Sequence, residues 1–147
     1  VCYDKKFALD LSEICKAKKI SQEKFIALHS SGLYDVYFIG FLPGFLYLGG
    51  LDEKLHFKRK DKPRREIKRG DVGIAGNQTG VYPRVSPGGW NIIGNSPLSF
   101  FDVGKFPPCF AVAGDKVQFF PIDLEEYEKI LKQVDSGNYV PQSEVYG

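Results

Sequence analysis

Gly73-Ile74-Ala75-Gly76-Asn77-Gln78-Thr79-Gly80-Val81-Tyr82-Pro83 places two short apolar pieces on either side of a glycine- and asparagine-bearing turn. A strand, a tight turn and a second strand are written this way. The pattern continues in both directions. From Gly32 to Gly104 the chain holds 13 of its 16 glycines. Apolar pieces at Val72–Ala75, Val81-Tyr82, Trp90–Ile93, Leu98–Phe101 and Val117–Ile122 alternate with turn chemistry there and beyond. Tyr34-Asp35-Val36-Tyr37-Phe38-Ile39, β-branched and aromatic, reads as a buried strand. Many short strands with regular breaks predict a closed antiparallel barrel or a sandwich.

Helices flank this β region. Leu11, Ile14 and Cys15 stand at i, i+3 and i+4 after Asp10, a residue suited to an N-cap, and predict a helix over 11–18. Ser21 is placed to cap a second helix carrying Phe25, Ile26 and His29, with Gly32 at its end. Ala113-Gly114-Asp115 predicts a tight turn before a last strand with Val117 and Phe119 on one face. Asp123-Leu-Glu-Glu126 opens a third helix running to about Val134, ended by Gly137. The fold class is therefore mainly β with flanking helices, with one domain over 1–136 and a tail over 137–147.

Composition narrows the class. The 147 residues are 43% hydrophobic, 26% charged and 14% aromatic, as in a globular domain. No run approaches the ~18 apolar residues of a membrane span, and Val-Cys-Tyr-Asp-Lys-Lys is no signal peptide, so no membrane role is expected. Cys2, Cys15 and Cys109 are odd in number and form no C-x-x-C, which favours a reducing, cytoplasmic setting. With only His29 and His56 beside them there is no metal-ligand spacing, and no metal site is expected. The absence of methionine implies a piece of a longer protein. Charge is uneven: net +2 overall, but +6 within residues 58–69, which leaves −4 for the rest. A pI of 8.4 lies below that of a nucleic-acid binder, so the basic run reads as a solvated loop between strands. The alternative is an anion site using Arg59, Arg64 or Arg65.

Three segments carry chemistry beyond scaffold. Gly40-Phe41-Leu42-Pro43-Gly44-Phe45-Leu46-Tyr47-Leu48-Gly49-Gly50-Leu51-Asp52 mixes bulky aromatics with glycines and a proline, as in a rigid loop with aromatic walls or a packed turn. In the 73–83 segment, Gln78 and Thr79 offer an amide and a hydroxyl to a carbonyl or carboxylate, or serve the turn itself. Ser86-Pro87-Gly88-Gly89-Trp90-Asn91-Ile92-Ile93-Gly94 pairs glycines before the only tryptophan, as an anion nest or a tight strand entry. Ser86 lacks a nucleophile elbow, and the chain has no Gly-Lys-Ser/Thr phosphate loop. His29 is the single candidate acid or base.

These segments, in this order, resemble the B-subunit family of 5-oxoprolinase, also known as allophanate hydrolase subunit 1, which includes the Kip inhibitor of a sporulation histidine kinase. The resemblance runs from about Val1 to Tyr127, with support from Asp10-Leu11, Leu28-His29, Pro63-Arg64 and Ala113-Gly114-Asp115. It implies a cyclophilin-like closed antiparallel β-barrel of the carboxyltransferase type, preceded by an α+β domain that this chain lacks. It further implies ATP-dependent hydrolysis of 5-oxoproline to glutamate. The partners would be a related barrel protein (the C-type subunit, or allophanate hydrolase subunit 2) and the A-type subunit, with ATP and magnesium acting at the level of the complex. Phe41, Pro43, Gly44 and Phe45 would line the cleft shared with the partner barrel. Tyr82, Ser86 and Trp90 would face substrate there. Gln78, Thr79, Gly88 and Gly89 would position it, and Arg64 would supply anion charge. A kinase-binding regulator and a carboxyltransferase-type subunit for amides or urea are the alternatives. The chain departs from the family pattern at Ala8-Leu9, at Lys68-Arg69-Gly70-Asp71 where Pro-Ala-Gly-Ser is usual, and at Asn95 where arginine is usual.

Overall fold

The computed structural model describes residues 1–39 and 42–145. Helix α1 (Leu11–Lys18) buries Leu11, Ile14 and Cys15 and stops where Lys19 turns left-handed, at φ 56°. Helix α2 (Gln22–Ser31) is capped by Ser21, whose hydroxyl accepts from the Lys24 N–H at 3.0 Å; Phe25 and His29 form its inner face. Eight strands follow: β1 (Tyr34–Ile39), β2 (Leu46–Gly49), β3 (Arg64–Ile67), β4 (Asp71–Ala75), β5 (Gln78–Val81), β6 (Ser86–Gly88), β7 (Asn91–Asn95) and β8 (Lys116–Val117). Helix α3 (Leu124–Asp135) begins with the Asp123 carboxylate accepting from the Glu126 N–H at 2.8 Å. Gly137 then takes φ 77°.

Six strands form one antiparallel sheet in the order β7-β4-β5-β2-β1-β8, while β3 and β6 pair as a separate ribbon. Among the described residues the ladder is open, which corrects the expectation of a closed barrel. The first and last strands are drawn together by single bridges from Cys2, antiparallel to Asn95 of β7 and parallel to Ile122 beyond β8. Two further expectations change. Leu98–Phe101 forms no strand, and of Val117–Ile122 only the start does. Conversely, Leu46–Gly49 is an inner strand, and Arg64–Ile67 is a strand within the basic run expected to be a solvated loop.

The hairpin of β4 and β5 positions everything else. Gly76 at φ 59° and Asn77 make its two-residue loop, joining Ala75 to its partner Gln78. A positive φ at only the first loop position is the type II′ pattern, whose twist matches the strands it joins. Alternation then assigns faces. Val72, Ile74 and Val81 enter the main core with α1, α2 and Phe119. Gly73, Ala75, Gly80 and Tyr82 face a second cluster with Phe45, Ile67, Trp90 and Ile92. Both faces are thus covered, and the two opposed glycines leave room for the indole. A Cβ on Gly80 would stand 2.7 Å from the Leu46 carbonyl oxygen and 3.1 Å from the Trp90 ring.

Because one of those neighbours is backbone and cannot swing away, Gly80→Ala should destabilise the protein by about 1–3 kcal/mol in urea unfolding. Gly76→Ala meets no atom within 4 Å. It should cost only the left-handed penalty of about 1–2 kcal/mol and leave Trp90 emission unchanged.

Candidate functional site

On the second face of the hairpin, three sequence-distant segments converge. Leu42-Pro43-Gly44-Phe45 closes a turn with the Phe45 N–H donating to the Leu42 carbonyl at 2.9 Å. Proline at the second position and Gly44 at φ 83° at the third are the type II signature. That turn packs on Phe100 and Phe101, and a Cβ on Gly44 would stand 2.6 Å from Phe101 Cβ. Phe45 is buried and meets Tyr82 and Trp90 edge-on, at centroid distances of 5.1 and 5.3 Å, while Tyr47 meets Trp90 at 6.1 Å. Such pairs contribute about 0.5–1.5 kcal/mol each beyond area burial. Burial pushes the Tyr82 phenol up to about 12. Phe41, placed by sequence at the same wall, lies outside the described residues.

The basic run closes over this cluster as a strap. The Asn91 amide donates to the Lys58 carbonyl at 2.8 Å, and the Lys60 N–H donates to the Gly89 carbonyl at 2.8 Å. Between those ties, the Arg59 guanidinium sits 5.9 Å from the Trp90 ring centre. Asp10 pins the strap from beneath. Its carboxylate accepts from Arg64 at 2.5 and 2.8 Å, from Lys60 Nζ at 3.1 Å and from the Ile92 N–H at 2.7 Å. Burial pushes the Asp10 carboxyl up, but these donors outweigh it and hold the group below the ordinary carboxylate range. Asp10 stands at the N-cap position of α1 without capping it, because its oxygens are taken here.

Arg64, expected to supply anion charge, is therefore occupied by a buried carboxylate. Ser86 is buried and donates to its neighbour's carbonyl, Pro87 O, at 3.1 Å. Gly88 faces the Tyr82 hydroxyl, and Gly89 lies against Pro63. Neither glycine takes a positive φ, so the pair is a tight strand entry and not an anion nest. Gln78 stays half-exposed at the hairpin end, and its side chain makes no hydrogen bond among the described residues.

Thr79 and His29 face the opposite way, into the main core. The Thr79 hydroxyl donates to the Gly73 carbonyl at 2.8 Å, so it accepts from His29 Nε2–H at 3.0 Å. The Tyr3 hydroxyl then donates to Nδ1 at 2.5 Å. Both ring nitrogens are committed, the ring stacks 5.0 Å from Phe119, and the residue is wholly buried. Burial lowers its pKa to about 3. As placed here, His29 is a neutral core residue out of contact with solvent, and Thr79 is its partner instead of a loop tip. Their shared burial was invisible to sequence reasoning because alternation along β5 was not resolved there. The two nearby departures from the expected pattern meet each other: Asn95 Nδ2 donates to Asp71 Oδ1 at 2.9 Å, and the Tyr127 hydroxyl of α3 donates to Asn95 Oδ1 at 2.7 Å.

The two sides of the hairpin make separate predictions. His29 is neutral when folded down to about pH 3 but titrates near 6.5 when unfolded. The unfolded chain therefore binds the extra proton between those values. Stability should be intact above about pH 6.5 and fall below it by up to about 1.4 kcal/mol per pH unit. Urea midpoints across pH 4–7.5 read this, and His29→Gln should flatten the slope. On the other side, Asp10→Ala strands a half-buried guanidinium and should cost about 2–3 kcal/mol in the same assay.

Two concavities, of about 520 and 220 Å³, lie away from these loops. The first is lined by Tyr3, Ile26, Ile122 and Leu124, and the second by Leu98, Phe110, Val134 and Tyr139. Among the described residues no group of three histidine, cysteine or acidic side chains stands ready for a metal, and no helix is long and apolar enough to cross a membrane.

A Bacillus subtilis (strain 168) protein named as the B subunit of 5-oxoprolinase is 46% identical over 127 residues, covering 86% of this chain and 53% of its own length. Its Escherichia coli O157:H7 namesake is 46% identical over 112 residues, 76% of this chain and 51% of its own. The chain spans about half the length of the curated relatives it matches. A conserved uncharacterized protein from Pyrococcus horikoshii superposes with a TM-score of 0.83 at 49% identity, over 86% of this chain and 59% of that one. The K. lactis urea amidolyase, at 24% identity and a TM-score of 0.75, shares the fold over 8% of its length. Residues 1–111 match the family described as carboxyltransferase domain, subdomain C and D. With three-quarters of its length inside that match, this chain belongs to the carboxyltransferase domain family, subdomains C and D.

Proposed function

We propose that this chain is the carboxyltransferase-type part of the B subunit of an ATP-dependent 5-oxoprolinase, acting in the cytoplasm with partner subunits and inactive without them. The carrying observation is its 46% identity, across 86% of its length, to a protein named as the 5-oxoprolinase B subunit. The site geometry supports the dependence on a partner. The aromatic wall offers Gln78 and Arg59, whereas His29, on the opposite face of the hairpin, is locked in the core.

Opening an unstrained lactam breaks its ring C–N bond; ATP bound to the complex would supply the activation by phosphorylating the amide oxygen, with release of ADP, so that water adds at the carbonyl carbon, the ring nitrogen leaves with a proton and phosphate is released. In this reading ATP and magnesium act at the level of the complex. In the same reading residues 1–136 act as one domain. Gln78 orients the substrate amide or carboxylate, the Gly88-Gly89 entry fixes the wall behind it, and Pro43 and Gly44 shape its rim.

The test is affinity capture of the full-length protein from its source cells, followed by an assay of 5-oxoproline-dependent ADP release. Stoichiometric recovery of a related barrel subunit is expected, with turnover that requires both components. Gln78→Ala should then lower kcat by roughly 10–100-fold without loosening the complex. Turnover by this protein alone would overturn the reading. So would capture of a histidine kinase in place of the barrel subunit, which would point to a regulator.

A further inference from the structure

We infer that Arg59, seated on Trp90, is the residue of this face that takes an oxyanion, the carboxylate or phosphoryl group of a bound ligand. This rests on reading the aromatic wall as the ligand-facing side. The strap carries eight cationic side chains, and the structure separates them by role. Arg64 and Lys60 are bound to the buried Asp10. Lys58 approaches Asp61 at 3.9 Å on an open surface, where such a pair is worth little. Arg59 has no carboxylate partner among the described residues, although it is the strap cation set against the aromatic cluster.

Its position is imposed by its neighbours. The Lys58 carbonyl is held by Asn91, and the Lys60 N–H is held by Gly89. The backbone on either side of Arg59 is therefore tied to the two residues that flank Trp90 in the chain. A cation–π contact with the indole, 5.9 Å from the ring centre, restrains the guanidinium further, at about 0.5–1 kcal/mol for an exposed contact. Arg59 is exposed, and its guanidinium carries N–H donors in a fork that matches a carboxylate or phosphate. Part of the rotamer entropy that recruiting a surface arginine costs is offset by this contact and by the tied backbone. Trp90 itself is 3% exposed, so Arg59 is what this corner presents to a ligand.

Trp90 is also the only tryptophan, and its emission reports the state of the group stacked on it. The 147-residue chain would be titrated with sodium phosphate, with sodium formate and with sodium chloride at matched ionic strength. Fluorescence would be followed, with calorimetry on the same samples. A saturable response to phosphate or formate, absent with chloride, is expected. Response to phosphate alone identifies a phosphoryl subsite, and response to formate alone a carboxylate subsite. Arg59→Gln should weaken binding by about tenfold or more, the loss of one charge-assisted hydrogen bond. Arg59→Lys should weaken it less, and Arg65→Gln, an exposed strap cation, should leave it intact. Equal affinity in Arg59→Gln and the parent chain, or responses that merely track ionic strength, would overturn the inference. Neither partner nor turnover enters this measurement, so its failure is distinguishable from failure of the 5-oxoprolinase reading.

Discussion

Strands β4 and β5 are covered on both sides, and the glycine pair at 73 and 80 is what allows it. A strand pair with ordinary side chains on both faces holds its coverings about 10 Å away. Here the absence of two Cβ atoms lets Trp90 and Phe45 lie close against the backbone. Tyr82 joins them edge-on, and the turn at 42–45 is drawn in behind Phe45. The aromatic wall is thus a consequence of missing atoms as much as of present rings.

The second constraint is electrostatic. Asp10 is buried, and a buried carboxylate has to be paired or give up its charge. It is satisfied by four donors drawn from β3, the strap and β7. One short acidic side chain at the start of α1 therefore fixes a run that its own composition would leave in solvent. The consequence for chemistry is selective: two cations of the strap are neutralised, and Arg59 keeps its charge beside the rings.

Chemistry is divided between the two faces of β5 by a single step along the chain. Thr79 points inward to His29, whose neutral tautomer is dictated by a hydroxyl that already donates elsewhere. Gly80 and Tyr82 point outward to the wall. The polar groups that attract the eye in the sequence are consequently divided between a structural hydrogen-bond chain and the outer aromatic face.

Much of the architecture was legible from residues alone. The three helices, their caps at Ser21 and Asp123, the strand at 34–39 and the turn at Gly114 follow from local rules that act over a few bonds. Family membership was equally legible, because glycine-rich segments in fixed order are specific in combination. What the tertiary structure decided was everything that depends on facing. Leu46–Gly49 became a strand because β1 and β5 lie on either side of it. The basic run became a strap because Asp10 waits beneath it, more than 50 residues away in sequence. Arg64 and Arg59 are alike in the sequence, yet one is bound to a carboxylate and the other to an indole. Alternation assigns a side chain to a face but cannot say what occupies that face, since the occupant comes from a distant segment through contacts that only the folded chain makes.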